Sequence, residues 1–234
     1  MEISKVFQYK WKDGNSSQIY DGAAQPTLTK AGTLKLNLAA KKPYIMRSAS
    51  GSYGSIDAIG TVQELTLHTV YVDANSGNNN NIGNTKAAPM KTIGKAIDKV
   101  NDGGTIILLS DYTSTALSFD KNVTIKSDDG GKYTVNATYT YIKDNVTATF
   151  ESVDAQNLTF YKWDNTSHGS GNVEFKNCTG SGIEIADNVI SNVTLENSQL
   201  GGRFGAQGTL TLKNATINGS FSTKDFVAKG KNIY

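Results

Sequence analysis

Apolar and polar residues alternate through five short segments of this chain, and the five segments line up on one another. They read Val123-Thr124-Ile125-Lys126-Ser127, Ala148-Thr149-Phe150-Glu151-Ser152, Val173-Glu174-Phe175-Lys176-Asn177, Val193-Thr194-Leu195-Glu196-Asn197 and Leu210-Thr211-Leu212-Lys213-Asn214. Each is apolar at its first and third positions, mostly Thr at the second, charged at the fourth and Ser or Asn at the fifth. The step from one segment to the next is constant from Val123 through Ala148 to Val173, then shortens to Val193 and again to Leu210. A period of two predicts a strand with one buried face. Recurrence at about 20 residues predicts one supersecondary unit stacked many times, a solenoid.

In a parallel β-solenoid each coil lies about 4.8 Å above the last, so equivalent positions form columns. The first and third positions then stack inward. The fifth, occupied by Ser127, Ser152, Asn177, Asn197 and Asn214, falls where the chain must turn, and Asn tolerates the left-handed backbone needed there. Asn side chains are also expected to bond one another from coil to coil. The fourth position runs Lys126, Glu151, Lys176, Glu196, Lys213, so its sign alternates and each charge is expected to face an opposite one above and below. Apolar pairs at Leu158 and Phe160, Ile183 and Ile185, and Ile217 and Phe221 fill the remainder of each coil. Gly180, Gly182, Gly201, Gly202 and Gly219 are expected to mark corners.

Ahead of the repeats, Ile93, Ala96, Ile97 and Val100 recur at helical spacing behind Pro89, and Asp102-Gly103-Gly104 is a stop signal. The spacing predicts a capping helix over about 90–101, covering the apolar end that a solenoid exposes. Thr105 to Leu109 reads as a buried strand without alternation. Residues 1–69 do not join the repeat. Asp13-Gly14-Asn15 signals a hairpin turn, Thr33 to Leu38 and Val62 to Leu67 alternate, and Ser48 to Gly60 reads as a Gly- and Ser-rich loop. The expected organisation is therefore a small β unit, 1–69, that docks or extends a β-helix, 70–234.

Tyr71-Val72-Asp73-Ala74-Asn75-Ser76-Gly77-Asn78, an Asn-rich loop, Pro89-Met90-Lys91-Thr92-Ile93, Ala96-Ile97 and Gly104-Thr105-Ile106 together resemble the start of a right-handed parallel β-helix. They are similar to the pectin-lyase-like superfamily and to the DUF1565-type opening segments of phage fibre or spike proteins and bacterial surface proteins. The resemblance runs from about Val70 to Tyr234. It implies an all-β fold, a right-handed parallel β-helix with a short capping helix and a small N-terminal β appendage. Such helices host lyases, hydrolases, adhesins and phage spikes alike, so the fold carries no activity with it.

Net charge is +2, charged residues make up 19% and no basic stripe is present, which argues against nucleic acid as a partner. Apolar runs are short of membrane-spanning length. Met1-Glu2-Ile3-Ser4-Lys5 leads into strand-like sequence without a secretion signal, as expected either of a segment excised from a secreted protein or of a protein released by lysis and assembled without secretion. The single cysteine, Cys178, next to the Asn177 turn, reads as buried filler and not as a nucleophile.

A lyase needs a base beside a cationic group, and the helical part holds one arginine, Arg203. Asp128-Asp129-Gly130 and the set Asp73, Asn75 and Asn78 offer oxygens to calcium but read better as capped turns. Glu174 with Glu184, or Asp187 with Glu196, are the carboxylate pairs that adjacent coils would bring within glycosidase distance. Tyr161, Trp163 and His168 are the candidate carbohydrate contacts, because exposed aromatic rings stack on sugars. No metal or other cofactor is expected. The sequence favours a non-enzymatic structural or attachment protein of a virion surface, a fibre or head decoration. Its partners would be other virion proteins through residues 1–69, a glycan, or two further copies in a homotrimer. An adhesin module of a secreted bacterial cell-surface protein is the alternative, and a polysaccharide lyase or hydrolase is the third.

Overall fold

The computed structural model describes residues 17–20, 27–30, 33–35, 43–48, 59–61, 67–163 and 170–233, with side chains described from Leu67 onward except at Ser170. The chain divides into two compact units, Met1–Leu65 and Thr66–Tyr234. In the first, β1 (Ser17–Tyr20), β4 (Pro43–Ser48) and β5 (Ile59–Thr61) form an antiparallel sheet in the order β1-β4-β5, and β2 (Thr27–Lys30) pairs antiparallel with β3 (Thr33–Lys35). The Asp13-Gly14-Asn15 turn, the Leu36-Asn37-Leu38 end of the alternating run, residues 49–58 of the expected loop and the alternation from Val62 to Thr66 lie outside the described residues.

The second unit is a parallel β-solenoid of about six turns. One face stacks β6 (Leu67–Val72), β7 (Val100–Leu108), β9 (Val123–Ser127), β11 (Thr147–Glu151), β13 (Ser170–Lys176) and β15 (Ile190–Glu196). The other stacks β8 (Tyr112–Phe119), β10 (Thr134–Ile142), β12 (Asp154–Tyr161) and β14 (Thr179–Ile185). The long strand β16 (Gln199–Lys213) joins the two faces: residues 199–204 pair with β14, and residues 210–213 pair with β15. Strand β17 (Thr216–Lys229) lies along almost all of β16.

The repeats superpose residue for residue. Val123, Ala148, Val173, Val193 and Leu210 occupy one column, and Ile125, Phe150, Phe175, Leu195 and Leu212 the next. Both columns are buried in one continuous core. Phe150 stacks on Phe175 at 5.4 Å between ring centroids and meets Phe119 edge-on at 6.1 Å, geometries that add to the burial of three large rings. The first column continues upward to Gly104 and downward to Phe226. The chain between aligned positions is longest from Val123 to Val173 and shortest from Leu210 to Phe226. The late coils have the least chain left for corners, which is why β16 and β17 run through them without a break.

The capping helix is shorter than its sequence signals predict. Helix α1 spans Ile93–Lys99, with Thr92 as N-cap accepting a hydrogen bond from the Lys95 amide at 3.3 Å. Met90 is drawn into extended pairing with Val72 instead, bonding Tyr71 and Asp73 through its backbone. Val100 turns extended as soon as its N–H has closed the last helical bond to Ala96, because β6 is there to pair with it. Asp102-Gly103-Gly104 therefore lies inside β7. The buried side of α1, Ile93, Ala96 and Ile97, packs on β6, β7 and β8 and takes the place of a strand in the first coil. Strand β7 also alternates: Ile106 and Leu108 are buried, while Ile107 points outward and is half-buried.

The five glycines expected at corners sit within strands instead: Gly180 and Gly182 in β14, Gly201 and Gly202 in β16, and Gly219 in β17. Gly180 and Gly202 have left-handed φ, 142° and 143°. A Cβ on Gly180 would collide with the Ala155 carbonyl oxygen, and one on Gly202 with that of Ile183. The second face departs from regular strand geometry at this level, and only glycine lets neighbouring coils stay in hydrogen-bonding contact there. Register shifts between Gly180 and Ile183 and in β10 mark the same irregularity.

Two substitutions separate these effects. Gly180→Ala forces backbone apart and is expected to cost several kcal/mol, at the upper end of single-residue effects, about 3 kcal/mol or more, seen as a large fall in Tm. Thr140, fully buried in β10, has no partner for its Oγ1 among the described residues. Thr140→Val is expected to stabilise by about 1 kcal/mol by removing an unsatisfied hydroxyl at constant shape; a lower Tm contradicts this.

Candidate functional site

The outward side of the first face is a grid of three polar columns. The first holds Asn122, Thr147, Asn172, Asn192 and Thr209, immediately ahead of the apolar segments. It carries the main side-chain ladder of the solenoid. Asp102 Oδ1 accepts from the Asn122 amide and Nδ2, both at 2.8 Å, and Asn122 Oδ1 accepts from the Thr147 amide at 2.8 Å. Asn192 Nδ2 donates to Asn172 Oδ1 at 2.8 Å, and Asn192 Oδ1 accepts from the Thr209 amide at 3.0 Å. Its signal is present in the sequence, since Asn or Thr precedes every segment, yet the expected ladder falls at the turn position that follows each segment.

At that turn position Ser152, Asn177, Asn197 and Asn214 adopt left-handed φ between 49° and 54°. Their amides donate to the carbonyls of Lys176, Glu196, Lys213 and Lys229 in the next coil. Turning left-handed thus keeps each amide in the sheet. Only Asn214 Nδ2 to Asn197 Oδ1, at 3.4 Å, joins two of these side chains. Ser127 differs: its Oγ accepts from the Tyr133 amide at 2.8 Å, and its backbone stays out of the left-handed region. The next position holds Val153, Cys178, Ser198 and Ala215, all buried. Burial pushes the Cys178 thiol up to about 11, well away from the thiolate that nucleophilic chemistry requires.

The charged column is in register, with Lys126, Glu151, Lys176, Glu196 and Lys213 side by side. Its pairing is mixed. Lys213 reaches Glu196 at 3.3 Å, whereas Lys176 turns along its own strand to Glu174 at 2.6 Å. Glu174 holds the Lys176 ammonium above its ordinary value, and Glu196 and Glu151 add to that at longer range. No ion pair joins Lys126 to Glu151 among the described residues. A short reach within one strand outcompetes the alternation, because Glu174 replaces the Thr found at the second position of the other segments.

The carboxylates expected to pair across coils do not meet. Glu174 lies on β13 of the first face and Glu184 on β14 of the second. Glu196 belongs to Lys213, while Asp187 and Glu184 converge on Arg203 at 3.0 and 3.4 Å. The Asp73 loop is closed internally: Asp73 accepts from the Ser76 hydroxyl and from the Asn75 and Ser76 amides, which hold its carboxyl below the usual range, the hydroxyl most of all. Asp128 pairs with Lys86 at 2.6 Å. Among the described residues no three His, Cys, Asp or Glu side chains converge as a metal site would require.

Tyr161 and Trp163 are surface residues, 40% and 36% exposed; His168 lies outside the described residues. Tyr161 does not stand alone. Its ring lies 5.2 Å from that of Tyr139 and 6.0 Å from that of Tyr141, tilted by 47° and 39°. Strand pairing sets Tyr141 directly beside Tyr161. The phase of the Tyr139-Thr140-Tyr141 alternation marks both rings as outward, but their meeting with Tyr161, on the next coil, depends on register. This cluster on the second face is the candidate site.

Fold and surface together define a parallel β-solenoid protein. Protein-family models, curated proteins and solved structures give no match to the chain.

The ion pair at the last charged step has a direct test. Glu196→Lys is expected to cost about 0.2–1 kcal/mol, as exposed pairs do, and Lys213→Glu added to it should restore most of the loss. A thermodynamic cycle showing no recovery removes register-setting from this pair.

Proposed function

We propose that this protein is a non-catalytic attachment scaffold, related to the pectin-lyase-like β-helices and serving as a fibre or decoration on a virion surface. The observation that carries the reading is that the groups chemistry would call on are already used in building the solenoid. Glu174 is bonded to Lys176, Glu196 to Lys213, and Glu184 and Asp187 share Arg203, while Cys178 is buried in the core. A stack with its polar columns bonded coil to coil is stiff along its axis, as a spacer or presenting surface must be. The exposed tyrosine cluster favours glycan adhesion as the contact such a surface makes.

The test is incubation of the purified chain with neutral and acidic polysaccharides, followed by assays for reducing ends and for unsaturated products. No turnover is expected; robust release of either product overturns the reading. Light scattering then sorts the carrier. The mass of a trimer fits a fibre, and the mass of a single chain fits an adhesin module of a bacterial cell surface instead.

A further inference from the structure

The geometry points to a binding platform for a neutral glycan on the outer side of β10, β12, β14 and β16, built by Tyr139, Tyr141 and Tyr161 with Glu184, Asp187 and Arg203. It rests on the attachment reading in one respect, that the ligand is held and not cleaved.

Three rings on two adjacent strands give a fixed aromatic surface. Each tyrosine has only two side-chain torsions, so little entropy is lost when a ligand covers it. Tyr139 and Tyr161 are 39% and 40% exposed, and none of the three phenol hydroxyls is hydrogen-bonded to another described residue, so sugar hydroxyls are suited partners for them. The surroundings are short: Tyr139 lies beside Ala116 and Tyr141 beside Ser118 on β8, leaving the rings proud of the strand face.

On the other side of the rings the same outward columns become polar. Thr159 on β12 sits beside Glu184 on β14, which sits beside Arg203 on β16. Glu184 is thus on the strand next to Tyr161 and diagonal to it. Arg203 spends Nη1 on Glu184 and Nη2 on Asp187. Its guanidinium holds both carboxylates in place, and their remaining oxygens are acceptors for sugar hydroxyls. Stacking rings beside fixed acceptors is the pairing a pyranose calls for, with its apolar ring face and rim of hydroxyl donors.

Charge decides the class of glycan. The described charges that flank the rings along the chain and across the strands are Lys143, Lys162 and Arg203 against Asp144, Glu184 and Asp187. The signs of these described charges balance, so they put no strong field of one sign on the platform. The one guanidinium is already committed to two carboxylates. Uronic or sialic acids would meet those carboxylates with no free guanidinium beside them, whereas neutral hexoses lose nothing.

Native affinity electrophoresis in gels containing galactomannan, dextran or polygalacturonate tests the platform. At least one neutral polymer should retard the wild-type chain, with little change on raising salt, and polygalacturonate should not. Tyr139→Ala with Tyr161→Ala should weaken retention about tenfold or more while leaving circular dichroism and Tm close to wild type; Thr194→Ala, on the opposite face, should leave retention unchanged. Tyr161→Phe, which keeps the ring, should retain most of the binding and covers the case in which the double variant misfolds. Lack of retention by both neutral polymers, retention by polygalacturonate alone, or full retention by a folded double-tyrosine variant overturns the proposal. Turnover of a bound polymer would sink the non-catalytic reading and leave the platform standing; loss of binding without turnover sinks the platform alone.

Discussion

Hydrogen bonding between coils in a fixed register is the constraint on which the rest of this solenoid depends. A slip of one position would turn Phe150, Phe175 and Leu195 outward and bring Thr149, Glu174 and Thr194 into the core. With register held, the inner columns become continuous, Phe150 lies flat on Phe175, and each coil buries the apolar surface its neighbour exposes. No coil is stable by itself, and stability accumulates from interfaces between neighbours.

Register is defended most strongly at the corners. Left-handed Ser152, Asn177, Asn197 and Asn214 keep their amides in the sheet while the chain turns, and the column from Asp102 through Asn192 to Thr209 bonds side chain to backbone across successive coils. These bonds outrank the charged column, whose exposed pairs contribute little and re-partner within a strand when a closer carboxylate is present. Helix α1 covers the first coil with Ile93, Ala96 and Ile97. In the last described strand, β17, Phe221 and Phe226 stack on one another at 4.9 Å, and Ile233 pairs with Thr216 at its start.

The two faces diverge on their outward sides. The first is a grid of Asn, Thr and paired charge turned to structural use. The second interrupts its regularity where glycine is required, gathers three tyrosines on β10 and β12, and on β16, beyond β14, carries the guanidinium that bonds Glu184 and Asp187.

The solenoid, its phase and its inner columns are legible in the order of residues, because a period-two apolar pattern repeated at near-constant spacing has few ways to bury its apolar face. The turn positions are legible too, since Asn tolerates left-handed backbone at little cost, and so is Cys178 as filler. The packed coils settle the rest. They end α1 at Lys99 once β6 offers Val100 a pairing partner. They hold Gly180 and Gly202 inside strands, where carbonyls approach too closely for a Cβ, and place the ladder in the Asn122–Thr209 column. They also separate Glu174 from Glu184 and gather Tyr139, Tyr141 and Tyr161. Each of these outcomes hangs on which residues of different coils become neighbours, and that is set by corner lengths and bulges, which a one-dimensional pattern does not encode.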